Sequence, residues 1–237
     1  MHSIASHTIK LEDQNGKTRV FEFLIDPIDT SGVIALAEAG NEYNLKRDEF
    51  LEETVVLDCG AGYGEFSLEC ALKGALWIYA FEPNLTLAEY LISNTREFSN
   101  ISIQKCGVWV ESKDSLLYFR KTGTASASIH EVQFDPDSEL GRERITEQIK
   151  LVSLGDQIAQ LSIKFPLSHL ALKLDVEGAE HQIIQFLADQ NLLKDLHKIW
   201  IEYHYGSQEI LSILSKSFSK LTVQEKGSDM GLIKAEN

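Results

Sequence analysis

Val55-Val56-Leu57-Asp58-Cys59-Gly60-Ala61-Gly62-Tyr63-Gly64 combines an apolar run, a carboxylate and three glycines at alternate positions. The apolar run is of the kind that forms a strand buried on both faces. The glycines then turn the chain into a helical pattern over Phe66–Lys73. Glycine permits a tight turn and lets a ligand lie against main-chain atoms where a Cβ would clash. Such a turn at the carboxyl end of a strand, beside the point where strand order reverses, is where open α/β sheets bind ligands.

Strand and helix signals alternate downstream. Trp77–Phe81 reads as a second apolar strand, Leu85–Phe98 as a helix and Ile101–Val110 as a third strand. Glu111–Ile149 breaks the rhythm: Ser115–Arg120 and Ser126–His130 read as an antiparallel excursion, and Phe134–Glu147 is polar. Alternation resumes with strand Ile149–Val152, a helix through Gln157, strand Leu170–Leu174 and helix Glu180–Asp189. Strand Lys198–Tyr203, helix Ile210–Phe218 and strands Lys220–Glu225 and Gly231–Ala235 close the chain. The pattern predicts an α/β fold with a doubly wound, mostly parallel, Rossmann-like sheet and a C-terminal antiparallel edge hairpin, spanning residues 54–237.

Residues 1–53 differ. Ile4–Leu11 and Val20–Ile25 flank an Asn15-Gly16 hairpin signal, and Pro27 stops the second strand. Ile28–Phe50 carries one or two helices broken near Gly40-Asn41. We expect this segment to form an N-terminal cap over the mouth of the main domain.

Composition narrows the function classes. The chain has 237 residues, 43% of them hydrophobic, and no apolar run of the roughly 20 residues that a membrane helix needs. Met1–His7 lacks the basic and apolar regions of a signal peptide, so a cytoplasmic protein is expected. A net charge of −14 without a basic stripe argues against a nucleic-acid partner, because neutralising phosphates supplies most of that affinity. Cys59, Cys70 and Cys106 form no Cys-x-x-Cys pair and read as reduced, buried thiols rather than a zinc site. Oligomeric state is not legible.

The spacing of the glycine turn discriminates between nucleotides. A dinucleotide site wants G-x-G-x-x-G, whereas this chain has G-x-G-x-G with Asp58 two places before the first glycine. A carboxylate repels a pyrophosphate but suits the ammonium of a methionyl group. Gly60, Ala61 and Gly62 would give the ligand its backbone bed. Glu82, followed by Pro83, ends the second strand about 20 residues further on, where an acid can accept both hydroxyls of a ribose. Cys106 and Gly107 at the end of the third strand would reach the adenine, with Gly107 leaving room for the ring.

Three blocks of this sequence, Leu57–Ser67, Ala80-Phe81-Glu82-Pro83-Asn84 and Leu172-Lys173-Leu174-Asp175-Val176-Glu177-Gly178-Ala179-Glu180, resemble the signature blocks of FkbM-type methyltransferases. The resemblance runs from about Glu53 to about His204, and the third block is the most specific part of it. It implies a class I methyltransferase fold, S-adenosylmethionine as donor with S-adenosylhomocysteine as product, and usually a hydroxyl of a small molecule, a sugar or a tailored natural product, as acceptor. It leaves residues 1–53 without an inherited role.

The acceptor side rests on the ends of two later strands. Asp175 and Glu202 could orient the acceptor or together ligate a divalent cation, and Asp175 could instead meet the donor's amino group. His204 is the candidate general base, because imidazole titrates near neutral pH; a structural hydrogen bond is the alternative. Glu177 and Glu180 read as acids at a helix start. Tyr203 and Tyr205 flank His204, and Thr122–Ser128 is either a cover over the site or a plain loop. Transfer to nitrogen and a cofactor-binding regulatory module without catalysis are the competing functions.

Overall fold

The structure is a computed structural model that describes residues 5–40, 42–46, 49–50, 53–120, 122–131 and 144–237. In chain order its elements are β1 (Ala5–Glu12), β2 (Thr18–Ile25), α1 (Thr30–Glu38), β3 (Thr54–Cys59), α2 (Glu65–Leu72), β4 (Trp77–Phe81) and α3 (Leu85–Thr95). There follow β5 (Ile101–Gln104), β6 (Gly107–Trp109), β7 (Lys113–Arg120), β8 (Gly123–Ser128), β9 (Arg144–Ser153) and α4 (Leu154–Lys164). The last are β10 (His169–Leu174), α5 (Glu180–Asp189), β11 (Leu196–Tyr203), α6 (Gln208–Leu214), β12 (Lys220–Glu225) and β13 (Gly231–Glu236). The polar stretch expected from Phe134 lies outside the described residues up to Arg144, as do Ile4 and Asn41.

Seven strands form the central sheet in the order β12-β13-β11-β10-β3-β4-β5. All neighbours from β11 to β5 are parallel, and β13 and β12 close the edge antiparallel. This is a methyltransferase-like α/β fold. Interior position follows from composition: every residue of β3 is buried, as are Leu170–Leu174 of β10. The edge strand β12, with Lys220, Thr222, Gln224 and Glu225, is mostly exposed, which guards the sheet against edge pairing. β4 and β5 are added on one side of β3, β10 and β11 on the other. The crevice of the sheet therefore opens at the carboxyl ends of β3 and β10.

The expected third strand, Ile101–Val110, is in fact two. Cys106 N–H donates to Gln104 C=O at 2.8 Å, a three-residue turn that ends β5 in the large sheet. β6 then joins a separate four-stranded sheet of order β6-β9-β7-β8. Apolar alternation lapses only at Gln104-Lys105, and strand-like residues resume at once, so the change of partner is easily missed. The same sheet absorbs the hydroxyl-rich segment after Thr122, which is strand β8 rather than a loop.

The N-terminal hairpin and α1 lie against the glycine-turn side of the domain. Ile9, Leu11, Phe23, Ile25 and Leu36 share one apolar cluster with Tyr63, Leu68, Leu72 and Leu87. A fully buried carboxylate ties these parts together. Asp29, at the N-cap of α1, accepts from Ser31 Oγ, the N–H of Gly32, the Tyr63 hydroxyl, and the N–H groups of Thr124 and Ala125 in β8. Three chain segments thus share one acid. Removing an acceptor leaves buried donors that must be desolvated for nothing. Asp29→Ala should therefore cost roughly 3–5 kcal/mol in urea unfolding, and Asp29→Asn, which keeps one acceptor oxygen, distinctly less.

Candidate active site

A cavity of about 920 Å³ opens at the crevice. Its walls come from the glycine turn, the ends of β4, β10 and β11, strand β8, helix α1 and the β12–β13 turn. The volume lies at the upper end of the range for cofactor-sized clefts.

The three glycines of the turn serve different purposes. Gly60 is pressed against β10: a Cβ there would lie 1.8 Å from the Asp175 carbonyl oxygen. Gly64 is pressed against α3, where a Cβ would lie 2.6 Å from Leu91 Cδ1. Only Gly62 faces open space, with nothing nearer than Glu65 Oε1 at 3.7 Å. Gly62 lines the cavity, and its lack of a side chain leaves main chain bare to a ligand. The amides around it are already committed. Gly60 and Ala61 N–H both donate to Phe81 C=O at 3.0 Å, and Gly62 N–H donates to Glu82 Oε2 at 2.9 Å.

Glu82 is pinned by its own turn. Its Oε1 accepts from Asn84 N–H at 2.8 Å, while the Asn84 side chain caps α3 by accepting from Thr86 and Leu87 N–H. The carboxylate is thereby fixed in orientation at the cavity wall, with lone pairs to spare on both oxygens. Burial pushes its pKa up to about 7 against these two amide bonds. Pro83 and Gly107 line the wall beside it, and Val108, Leu117 and Leu151 supply apolar lining. A Cβ at Gly107 would meet Leu151 Cδ2 at 2.7 Å and Pro83 Cβ at 3.4 Å.

Three expected cofactor residues do not line the cavity. Asp58 is fully buried beneath the turn and bonded to the Ser67 hydroxyl. Its register partner on β10 is Lys173, whose ammonium stands 3.6 Å from Asp58 and 3.1 Å from Asp175 and donates to Gly60 C=O. The negative charge that the sequence shows beside the glycines is thus met from within the protein. Ala61 packs on Ala80 and Leu91. Cys106 turns to the core cluster that includes Val108, and all three cysteines are free thiols.

At the other end of the cavity stand Asp175, Glu177, Glu202 and His204. Tyr43, which sequence reasoning overlooked, donates its hydroxyl to Asp175 Oδ2 at 3.3 Å. Glu202 accepts from Lys226 at 3.1 Å, and Lys226 also bridges to Glu42. Glu177 sits at φ +53°, in the left-handed region, and its carboxylate is 3.4 Å from His204 Nε2. Glu180 is fully buried and closes the β10–α5 turn by accepting from Val176 and Gly178 N–H. The same carboxylate lies 3.3 Å from His204 Nδ1.

His204 is set between two carboxylates. Burial alone would lower its pKa, but the Glu180 hydrogen bond and the charges of Glu180, Glu177 and Asp175 outweigh it and hold the imidazole up at about 9. Both of its nitrogens face carboxylates. Tyr203 is buried in the core and Tyr205 is exposed, and neither lines the cavity. Thr124–Ala127 of β8 do line it.

A switch-point cavity with a bare glycine turn and a fixed acid one strand over sits in a methyltransferase-like α/β fold. The Methyltransferase FkbM domain matches residues 58–226, and the chain belongs to that methyltransferase family, which uses S-adenosylmethionine as methyl donor. No curated protein matches the sequence. Among solved structures it is similar to a putative methyltransferase from Escherichia coli, at 11% identity and TM-score 0.41 over 98% of this chain and 99% of that one. A putative rRNA methylase from Clostridium thermocellum has 12% identity and TM-score 0.43 over 80% of this chain and 91% of that one. A precorrin-6y C5,15-methyltransferase from Geobacter metallireducens has 12% identity and TM-score 0.42 over 87% of each chain.

The glycine roles give a direct check. Gly62→Ala should cost only the left-handed backbone penalty, about 1–2 kcal/mol, and still fold. Gly60→Ala must displace the β10 main chain and should cost over ~3 kcal/mol. Thermal melts of the two variants should fall on opposite sides of that gap.

Proposed function

We propose that the protein transfers the methyl group of S-adenosylmethionine to a hydroxyl of a small molecule, such as a sugar or natural-product intermediate. The observation that carries this reading is Glu82, held rigid by two amides at the cavity wall beside the one glycine of the turn that faces open space. A ribose diol would donate to the spare lone pairs of Glu82 while the nucleoside lies along Gly62. The base would occupy the wall of Pro83, Gly107, Val108 and Leu151. A dinucleotide fits the turn poorly, because the amides of Gly60, Ala61 and Gly62 are spent internally and cannot cradle a pyrophosphate.

When bound, the donor supplies a methyl carbon made electrophilic by the sulfonium. The chain's own residues would then place an acceptor oxygen in line, about 3 Å from that carbon, and keep water out. Asp175, Glu177 and His204 flank that space at the ends of β10 and β11. His204, fixed by Glu180, serves here to position rather than to take a proton. The net charge of −14 and the acidic cavity wall support a small-molecule acceptor over a nucleic acid.

Binding of S-adenosylhomocysteine by calorimetry tests the donor half. A ribose diol prefers the ionised acid, so affinity should rise about tenfold between pH 6 and pH 8 as Glu82 loses its proton near 7. Glu82→Gln should bind far more weakly and without that pH dependence. NAD binding tighter than S-adenosylhomocysteine would overturn the reading. Labelled donor offered to a panel of hydroxylated metabolites tests the acceptor half, with label found only on amines as the contrary result.

A further inference from the structure

We propose that Asp175, Glu177 and His204 form a divalent-cation site that chelates the acceptor's oxygens. The proposal rests on the small-molecule hydroxyl reading above and names the chemistry of that acceptor: two neighbouring oxygen donors, as in a vicinal diol, catechol or hydroxy acid.

One ligand atom from each of the three residues lies within 4.8 Å of the other two, and His204 Nε2 is 3.4 Å from Glu177 Oε2. Adjacent ligands of a cation bound at about 2.1 Å stand some 3 Å apart, so the set needs to close by little. The three residues come from the carboxyl ends of two adjacent parallel strands, which fixes their bases independently of any ligand. The supporting contacts point the same way. Glu180, buried and locked by Val176 and Gly178 N–H, faces His204 Nδ1. Metal-binding histidines are oriented by such a carboxylate on the second nitrogen, and the ion takes Nε2 in place of its proton. Tyr43 braces Asp175 in the same manner.

Charge also favours a cation. The cavity is lined by Glu42, Glu65, Glu82, Asp175, Glu177 and Glu202 against Lys173 and Lys226. Lys226 is spent on Glu42 and Glu202, and Lys173 on Asp58 and Asp175. Two carboxylates and one imidazole suit Mn²⁺ or Mg²⁺, with the nitrogen favouring Mn²⁺. The Asp175 carbonyl abuts Gly60, so the site adjoins the donor's bed. The ion's part would be to lower the pKa of an acceptor hydroxyl. Transfer then forms the O–CH₃ bond and breaks the S–CH₃ bond. The electron pair returns to sulfur and the hydroxyl proton goes to solvent.

The test is titration of the EDTA-stripped full chain with MnCl₂, followed by loss of the free Mn²⁺ signal in electron paramagnetic resonance. One tightly bound Mn²⁺ per chain is expected, weakened about tenfold or more in His204→Ala and in Glu177→Gln. S-adenosylhomocysteine binding in both variants controls for folding and should change little. No Mn²⁺ binding by wild type, with or without S-adenosylhomocysteine, overturns the site, as does equal binding by both variants. A protein that binds S-adenosylhomocysteine but not Mn²⁺ leaves the methyltransferase reading standing. One that binds Mn²⁺ but not S-adenosylhomocysteine fails the opposite way.

Discussion

The site depends on the buried ammonium of Lys173. Register places it beside Asp58 across the β3–β10 pair, and its charge answers both Asp58 beneath the glycine turn and Asp175 at the cavity wall. Burial by itself would depress the lysine pKa, but Asp175, Asp58 and Glu65 more than offset this and hold it well above the ordinary value. The same ammonium donates to Gly60 C=O, so one cation joins the turn to the strand that carries the acceptor-side acids. A buried cation of this kind must be matched closely to survive the loss of water. That matching forces the close approach at Gly60, where no side chain can stand between the turn and the Asp175 carbonyl.

The cavity is in consequence polarised along its length. Around the glycine turn Glu82 is held by two amides and Asp58 by the Ser67 hydroxyl, with the Lys173 charge 3.6 Å away. At the acceptor end the acids crowd one another. Burial and the neighbouring Asp175 and Glu42 charges raise Glu202 to about 7, against Lys226. Glu177 is raised by burial and by Asp175, with His204 opposing. The fold packs these acids more closely than their partners Lys226 and His204 offset.

The sequence made the donor end legible and the acceptor end less so, for physical reasons. Glycine spacing and a strand-ending acid are local features, so Gly62 and Glu82 could be found by counting. Which glycine meets a ligand could not, because Gly60 and Gly64 answer to β10 and α3, elements distant in the chain. Asp58 was placed at the ligand because a sequence shows a charge beside the turn but not the lysine 115 positions later that faces it. Asp29 is not legible from the sequence, because its bonds to Tyr63, Thr124 and Ala125 are long-range. The split at Cys106 is marked only by the short polar step Gln104-Lys105, because strand-like residues flank it on both sides while the pairing partner changes.

The walls of the cavity divide by origin. The glycine turn, Glu82, Asp175 and His204 all lie within the residues matched by the FkbM methyltransferase domain, and they bound the space where donor and acceptor would meet. Helix α1, Glu42 and Tyr43 precede that match yet line the same cavity, and Lys226 at its far end joins Glu42 to Glu202. Family membership therefore carries no information about this side of the pocket. A change of residue there alters the shape and charge that an acceptor meets, while the strand ends that hold the donor's bed stay tied through Lys173. The two sides of the cavity meet at Asp175, which touches both Lys173 beneath the glycine turn and Tyr43 of the N-terminal segment.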